Sequence, residues 1–154
     1  MISSKPIKTE WIVRAWMADI LIGIDCGVNT GFARSFGGKL SELKTYTIIE
    51  AMDDLLFYCK NGRNPVGVKI YIEDARKRKW VTGGREKLQG VGSVKRDAQI
   101  WQEFCEYYEF DYELVAPKNN RTKLTAEQFN RLTGWTARTN EHSRDAAMLI
   151  WGRK

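Results

Sequence analysis

Two apolar runs in the first half of the chain each end in an acidic residue. Residues 20–24 are apolar apart from Gly23, and Asp25 follows them directly. Residues 66–72 are rich in β-branched side chains, and Glu73 follows. A short apolar run that stops at an acid is typical of a buried strand that carries a carboxylate at its C-terminal end. Both runs are therefore predicted to be strands that present an acid at the same kind of position.

The remaining pattern alternates strands and helices. Gly37-Gly38 predicts a turn between two strands, and Thr125 followed by Gln128 predicts a capping box at the start of a helix. In chain order, the predicted elements are strands at 20–25, 30–36 and 44–49, a helix at 51–60, a strand at 66–72, a helix at 93–108, a strand at 112–115 and helices at 125–134 and 143–151. The first three strands are expected to form an antiparallel meander. This order predicts an α/β fold with a mixed five-stranded sheet flanked by helices.

Length and composition limit the class of protein. A chain of 154 residues fits one domain, which we place at residues 18–154 after an N-terminal arm or extension at 1–17. No apolar run reaches the ~20 residues of a membrane span, and the N-terminus does not resemble a signal peptide. Three widely spaced cysteines form no metal or disulfide pattern, so we predict an intracellular, cytoplasmic protein without a membrane partner.

Positive charge is concentrated in one stretch. The net charge is +6, and residues 76–96 hold eight basic residues against one acidic residue, interspersed with glycines. Such a stretch is either a solvated loop or a loop that binds phosphates, and we favour the second interpretation.

Four residues are candidates for a metal site. Asp25 and Glu73 end two predicted strands, and His142 and Asp145 are three residues apart at the start of the last helix, which places them on one side of it. Each residue alone is more often structural than catalytic. If the two strands are neighbours, however, the carboxylates converge, and hard divalent cations are the natural partners of clustered carboxylates.

The same residues resemble the motifs of a known family. Residues 22–27 (IGIDCG) with Thr30-Gly31 resemble the first motif of the RuvC-like Holliday-junction resolvases, in the ribonuclease H-like superfamily. Residues 71–74 (YIED) resemble their second motif, and residues 140–147 (NEHSRDAA) resemble the C-terminal one. The resemblance covers roughly residues 18 to 152, and phage-type members are closer than the standard bacterial enzyme.

The resemblance implies a mechanism and a substrate. Asp25, Glu73 and Asp145 would bind two Mg²⁺ or Mn²⁺ ions, with His142 as a further ligand or as a residue that positions the attacking water. The enzyme would nick four-way DNA junctions in DNA recombination and repair, as a homodimer that matches the two-fold symmetry of the junction. The DNA-binding residues expected from the resemblance and the basic stretch are Arg76, Lys77, Arg78, Lys79, Trp80, Arg85, Lys87, Lys118 and Lys123. Trp80 is either a wedge between bases or a packing residue under a loop.

Three alternatives stay open. Actin-like kinases share part of the first motif, but they need a chain about twice this long, and they leave Glu73, His142 and Asp145 unexplained. A ribonuclease that acts on RNA–DNA hybrids would use the same acids but read 2′-hydroxyl groups. A catalytically silent DNA-binding module on this fold would have no need of clustered acids beside phosphate.

Overall fold

The structure, a computed structural model, describes residues 19–59, 65–77, 85–117 and 123–154, and for 85–91 it describes the backbone only. The predicted arm at 1–17 lies outside these residues. The strands are β1 (Ile20–Asp25), β2 (Thr30–Phe36), β3 (Lys39–Tyr46), β4 (Val68–Glu73) and β5 (Asp111–Val115). The helices are α1 (Ile48–Leu56), α2 (Arg85–Tyr108), α3 (Ala126–Thr133) and α4 (Glu141–Ile150), with a short 3₁₀ turn at Ala75–Lys77.

The described strands form one mixed sheet in the order β3-β2-β1-β4-β5. β1 pairs with β2 antiparallel and with β4 parallel, and β4 pairs with β5 parallel. Ile24 of β1 is paired with Ile72 of β4, so Asp25 and Glu73 follow on neighbouring strands at the same edge. The predicted mixed sheet and the predicted convergence of these two strand ends are therefore confirmed.

Helices cover both faces of the sheet, because alternate residues of each strand point to opposite sides. On one face, Ile22 and Ile24 are fully buried in a cluster that includes Leu55 of α1 and Trp101 of α2. On the other face, Leu21 packs in a cluster with Phe129 of α3 and with the α4 residues Ala146, Ala147 and Ile150. The predicted strand at 20–25 thus forms the centre of the core. In the described part of the chain, no helix combines the length and the apolar character needed to cross a membrane.

The third strand and the first helix begin earlier than predicted. β3 starts at Lys39, immediately after the Gly37-Gly38 turn, where both glycines have positive φ angles of 56° and 83°. The predicted strand at 44–49 is wrong beyond Tyr46, because Thr47 is the N-cap of α1 and forms a capping box with Glu50. The β-branched pair that favoured a strand at 48–49 lies in the first turn of that helix.

The basic, glycine-containing stretch is also helical over much of its length. α2 begins at Arg85 rather than at residue 93, so Gly90, Gly92, Lys95 and Arg96 lie within a helix of 24 residues. The interpretation of this stretch as a loop is therefore wrong for residues 85–92, while the helix predicted from residue 93 is confirmed. Glycine in a helix costs only about 1 kcal/mol relative to alanine, which the packing of a long helix can offset. Residues 78–84 lie outside the described part of the chain.

Candidate metal centre

The N-terminus of α4 is fixed beside the sheet by polar contacts. Asn140 is the N-cap, and its side chain accepts a hydrogen bond from the backbone N–H of Ser143. The Asn140 side-chain amide also contacts the Thr45 hydroxyl of β3, with 2.6 Å between Nδ2 and Oγ1. The cap residue therefore both starts the helix and joins it to the strand, which determines where the first turn of α4 lies.

Two glycines allow α4 to lie directly on the sheet. A Cβ atom at Gly31 of β2 would lie 2.0 Å from the carbonyl oxygen of His142, and one at Gly23 of β1 would lie 2.1 Å from that of Ala146. Any larger residue would collide with the helix backbone, since real Cβ contacts are never this short. Gly31 is also the register partner of Asp25. The absence of a side chain at Gly31 thus allows His142 to approach the strand end that carries Asp25.

Asp25 and His142 are in direct contact. His142 Nδ1 lies 3.2 Å from Asp25 Oδ2, within hydrogen-bond distance. The Asp25 side chain is only 14% exposed and the His142 ring is 45% exposed, so the pair lies at the surface end of the core. The contact joins two residues that are 117 positions apart in the chain. The structure therefore brings together two of the four predicted site residues.

The other two predicted residues act on Asp25 through their charge. Burial, together with the negative charges of Glu73 and Asp145, raises the pKa of Asp25 from 3.8 to about 7, and the hydrogen bond with His142 opposes this rise. Burial also raises the pKa of Asp145. Glu73 and Asp145 are thus close enough to Asp25 to oppose its ionisation, which is an electrostatic cost that a bound cation would relieve.

The four predicted residues carry chemical groups that suit a divalent metal ion, but their present arrangement does not hold one. Carboxylate oxygens and one imidazole are suitable ligands for Mg²⁺ or Mn²⁺. Among the residues that the structure describes, no group of three or more His, Cys, Asp or Glu side chains is arranged to hold an ion. Ligation of one ion by three or more of the predicted residues would therefore need these side chains to move.

One predicted DNA-binding residue lies beside this site. Lys123 Nζ is 2.6 Å from a carboxylate oxygen of Glu141, the first residue of α4. The hydrogen bond that Lys123 donates to Glu141 raises the pKa of the lysine, and the charges of Asp145 and Asp25 also raise it. The lysine is therefore within electrostatic reach of the acid cluster.

Two basic residues after Glu73, Arg76 and Lys77, donate hydrogen bonds within the protein. The Arg76 guanidinium donates to both carboxylate oxygens of Asp74 and to the side-chain oxygen of Gln102. Lys77 Nζ donates to the backbone carbonyl of Leu114, at 2.8 Å. The predicted contacts of these two residues with DNA stay predictions. The structure does not describe the side chains of Arg85 and Lys87. It describes no part of Arg78, Lys79, Trp80 or Lys118.

Sequence analysis missed three contributors to the site. Gly23 lay within a strand pattern, and nothing in the sequence indicated that a helix backbone would cover it. Glu141 was set aside because its neighbour His142 carried the motif. Asp97 is 2% exposed on α2, and its charge acts on Cys26, the buried residue next to Asp25. The available signal for Asp97 was its position four residues before Trp101, on the apolar side of the predicted helix.

Comparison with known proteins identifies the fold. No family model matches the chain, and no curated protein matches it. Among solved structures, T. thermophilus RuvC in complex with a Holliday junction substrate is similar to this chain, with a TM-score of 0.50 and 13% sequence identity. The match covers 85% of this chain and 89% of that one. The chain therefore has a RuvC-like α/β fold, a mixed five-stranded sheet flanked by helices, as the sequence predicted.

Proposed function

We propose that the chain is a metal-dependent endonuclease that nicks four-way DNA junctions. The observation that carries this proposal is the contact between Asp25 and His142, within the field of Glu73 and Asp145, at one edge of the sheet. Support comes from the fold, since the similar solved protein is described as bound to a Holliday junction. In this proposal the activity is that of a crossover junction endodeoxyribonuclease.

The four clustered residues would hold the metal. Asp25, Glu73 and Asp145 supply oxygen ligands and His142 supplies a nitrogen ligand for Mg²⁺ or Mn²⁺, with two ions as the expected number. Bound ions of this kind activate water and stabilise the oxygen that leaves the phosphorus. Asp25 would be a ligand shielded from water, since its side chain is only 14% exposed.

Basic side chains would supply DNA affinity. Lys123 lies beside the acids and is the described residue best placed to bind a phosphate next to the scissile bond. Lysine contacts with phosphate position the DNA and add salt dependence, but they do not read sequence. Selectivity would then come from the shape of the junction, and a homodimer would place one site on each of two symmetric strands.

The test compares substrates and two aspartate variants. Cleavage of a four-way junction, a linear duplex and an RNA–DNA hybrid is measured with Mg²⁺ and with chelator. We expect Mg²⁺-dependent nicking of the junction, loss of nicking in Asp25→Asn, and full activity in Asp53→Asn, which changes an exposed acid on α1. Cleavage of hybrids alone would favour the ribonuclease alternative. Full activity in Asp25→Asn would contradict the metal-site assignment.

A further inference from the structure

One ion pair connects the lysine beside the acid cluster to the start of α4. Lys123 and Glu141 are 18 residues apart in sequence, and their side chains meet at 2.6 Å while remaining 57% and 56% exposed. The pair thus lies at the surface, where a ligand of either sign can reach it. Exposed ion pairs contribute only about 0–1 kcal/mol to stability, so this contact is weak enough to exchange for another.

Glu141 is not needed to cap its helix. The N-terminus of α4 is capped by Asn140, which exchanges hydrogen bonds with Ser143. In the usual capping box a glutamate or glutamine occupies the third helical position, as Gln128 does in α3, but in α4 that position is a serine. The contact that the structure gives the Glu141 carboxylate is with Lys123, so the role of this acid depends on the lysine.

The position of the pair relates it to the proposed substrate. Glu141 directly precedes His142, and Lys123 lies in the field of Asp145 and Asp25. A scissile phosphate at the acid cluster would therefore approach the same ammonium group that Glu141 now binds. A carboxylate and a phosphodiester each carry one negative charge with oxygen acceptors, so one can replace the other on a lysine.

We propose that Glu141 holds Lys123 as a substitute for a DNA phosphate, and that it releases the lysine when DNA binds. Glu141 then restrains DNA affinity at the active site, and Lys123 is the residue through which it acts. This inference rests on the proposed function, because it requires DNA to occupy the acid cluster. It adds a positioning residue that the metal-site interpretation does not require.

The test is a double-mutant cycle on junction binding. Binding of a labelled four-way junction is followed by fluorescence anisotropy in chelator, where no cleavage occurs, over a series of salt concentrations. The variants are Glu141→Gln, Lys123→Gln and their combination. The matched control is Glu127→Gln, which breaks an ion pair with Arg131 of 2.7 Å on α3, where both side chains are about three-quarters exposed.

Glu141→Gln is expected to tighten binding about 3- to 5-fold, the size of one exposed ion pair. It is also expected to steepen the salt dependence by up to about 0.9 in log K against log salt, because in the unmodified protein the carboxylate that Lys123 leaves attracts a cation of its own, which offsets one of the cations that DNA releases. In the Lys123→Gln background both effects should disappear. With Mg²⁺, Glu141→Gln should lower KM for the junction while Glu127→Gln leaves it unchanged.

Two results would overturn the inference. If Glu141→Gln tightens binding equally with and without Lys123, the effect is one of general charge, and the substitution model fails. If affinity and salt slope do not change at all, Glu141 does not restrain the lysine. Either result can occur in a protein that still cuts junctions, which leaves the proposed function standing. Absence of any DNA binding would instead overturn the proposed function together with the inference.

Discussion

The close approach of α4 to the sheet gives the sharpest structural prediction, for the variant Gly31→Ala. The added Cβ would lie 2.0 Å from the carbonyl oxygen and 2.5 Å from the carbonyl carbon of His142. Ordinary contacts between carbon and carbonyl oxygen are about 3.3–3.6 Å, so the two backbones would need to separate by more than about 1 Å. The clash is between a Cβ atom attached to the backbone of β2 and the backbone of α4, so no flexible side chain can rotate to relieve it.

The separation should affect stability and activity to different degrees. Overpacking of this kind typically costs about 1–3 kcal/mol, and the rigid obstacle at Gly31 favours the upper part of that range. The N-cap contact between Asn140 and Thr45 resists lifting of the helix, so the strain falls on the segment that carries His142. A misplacement of about 1 Å at an active site can lower the rate roughly 100-fold. We therefore expect a folded but nearly inactive variant.

The assay combines urea unfolding with Mg²⁺-dependent junction cleavage. Gly92→Ala is the matched control, because a Cβ there meets nothing within 4 Å among the described residues, and it should stabilise α2 by up to about 1 kcal/mol. Measurement of Mg²⁺ binding by calorimetry separates loss of the ligand set from general destabilisation. If Gly31→Ala were as stable and as active as the unmodified protein, the proposed contact between α4 and β2 would be refuted.

Three further predictions concern the acid site and its support. The pKa of Asp25, about 7 in the folded protein, lies above its ordinary 3.8, so this group's stabilising contribution is present at low pH and is lost as the pH rises from about 4 through 7. Asp25→Asn should therefore reduce this loss of stability with rising pH and make the metal-free protein more stable at pH 8. The free energy of unfolding is measured by urea unfolding in chelator at several pH values. If its dependence on pH were the same in the variant and the unmodified protein, the assignment would be contradicted. Asn140→Ala should lower the free energy of unfolding by about 1 kcal/mol through loss of the α4 cap, and it should weaken Mg²⁺ binding in calorimetry, whereas the cap change Thr125→Ala on α3 should affect stability alone. Trp101→Ala, at a fully buried position, should cost about 3–5 kcal/mol in the same unfolding assay, and a loss below 1 kcal/mol would be inconsistent with the packing of α2.

Sequence reasoning predicted the central elements because their signal is local. The run that became β1 is apolar, both β1 and β2 end at clear boundaries, and the observed bounds agree with the predicted ones. The pairing of β1 with β4 was predicted only conditionally, since strand order depends on contacts between distant parts of the chain. The candidate metal-site residues were predicted from strand ends, helical spacing and the order of the motifs, which encodes that distant arrangement indirectly.

The errors arose where two local signals competed. Ile48 and Ile49 favour a strand by their branched side chains, but the Thr47 cap with Glu50 begins a helix there. In α2, glycines and clustered charge suggested a loop, whereas tertiary packing of Trp101 and Cys105 supports a long helix. The contact between Lys123 and Glu141 could not be predicted, because it depends on how the segment before α3 lies against α4.

The distance in sequence between Asp25 and His142 has a consequence for the time at which activity appears. The two residues are 117 positions apart, and one lies in the first strand of the sheet while the other lies in its last helix. During synthesis the N-terminal strands leave the ribosome first, so a growing chain that lacks α4 has no complete site. On the proposed function, nascent and C-terminally shortened chains would leave DNA intact. A nuclease arranged in this way becomes able to cut only after α4 has been translated.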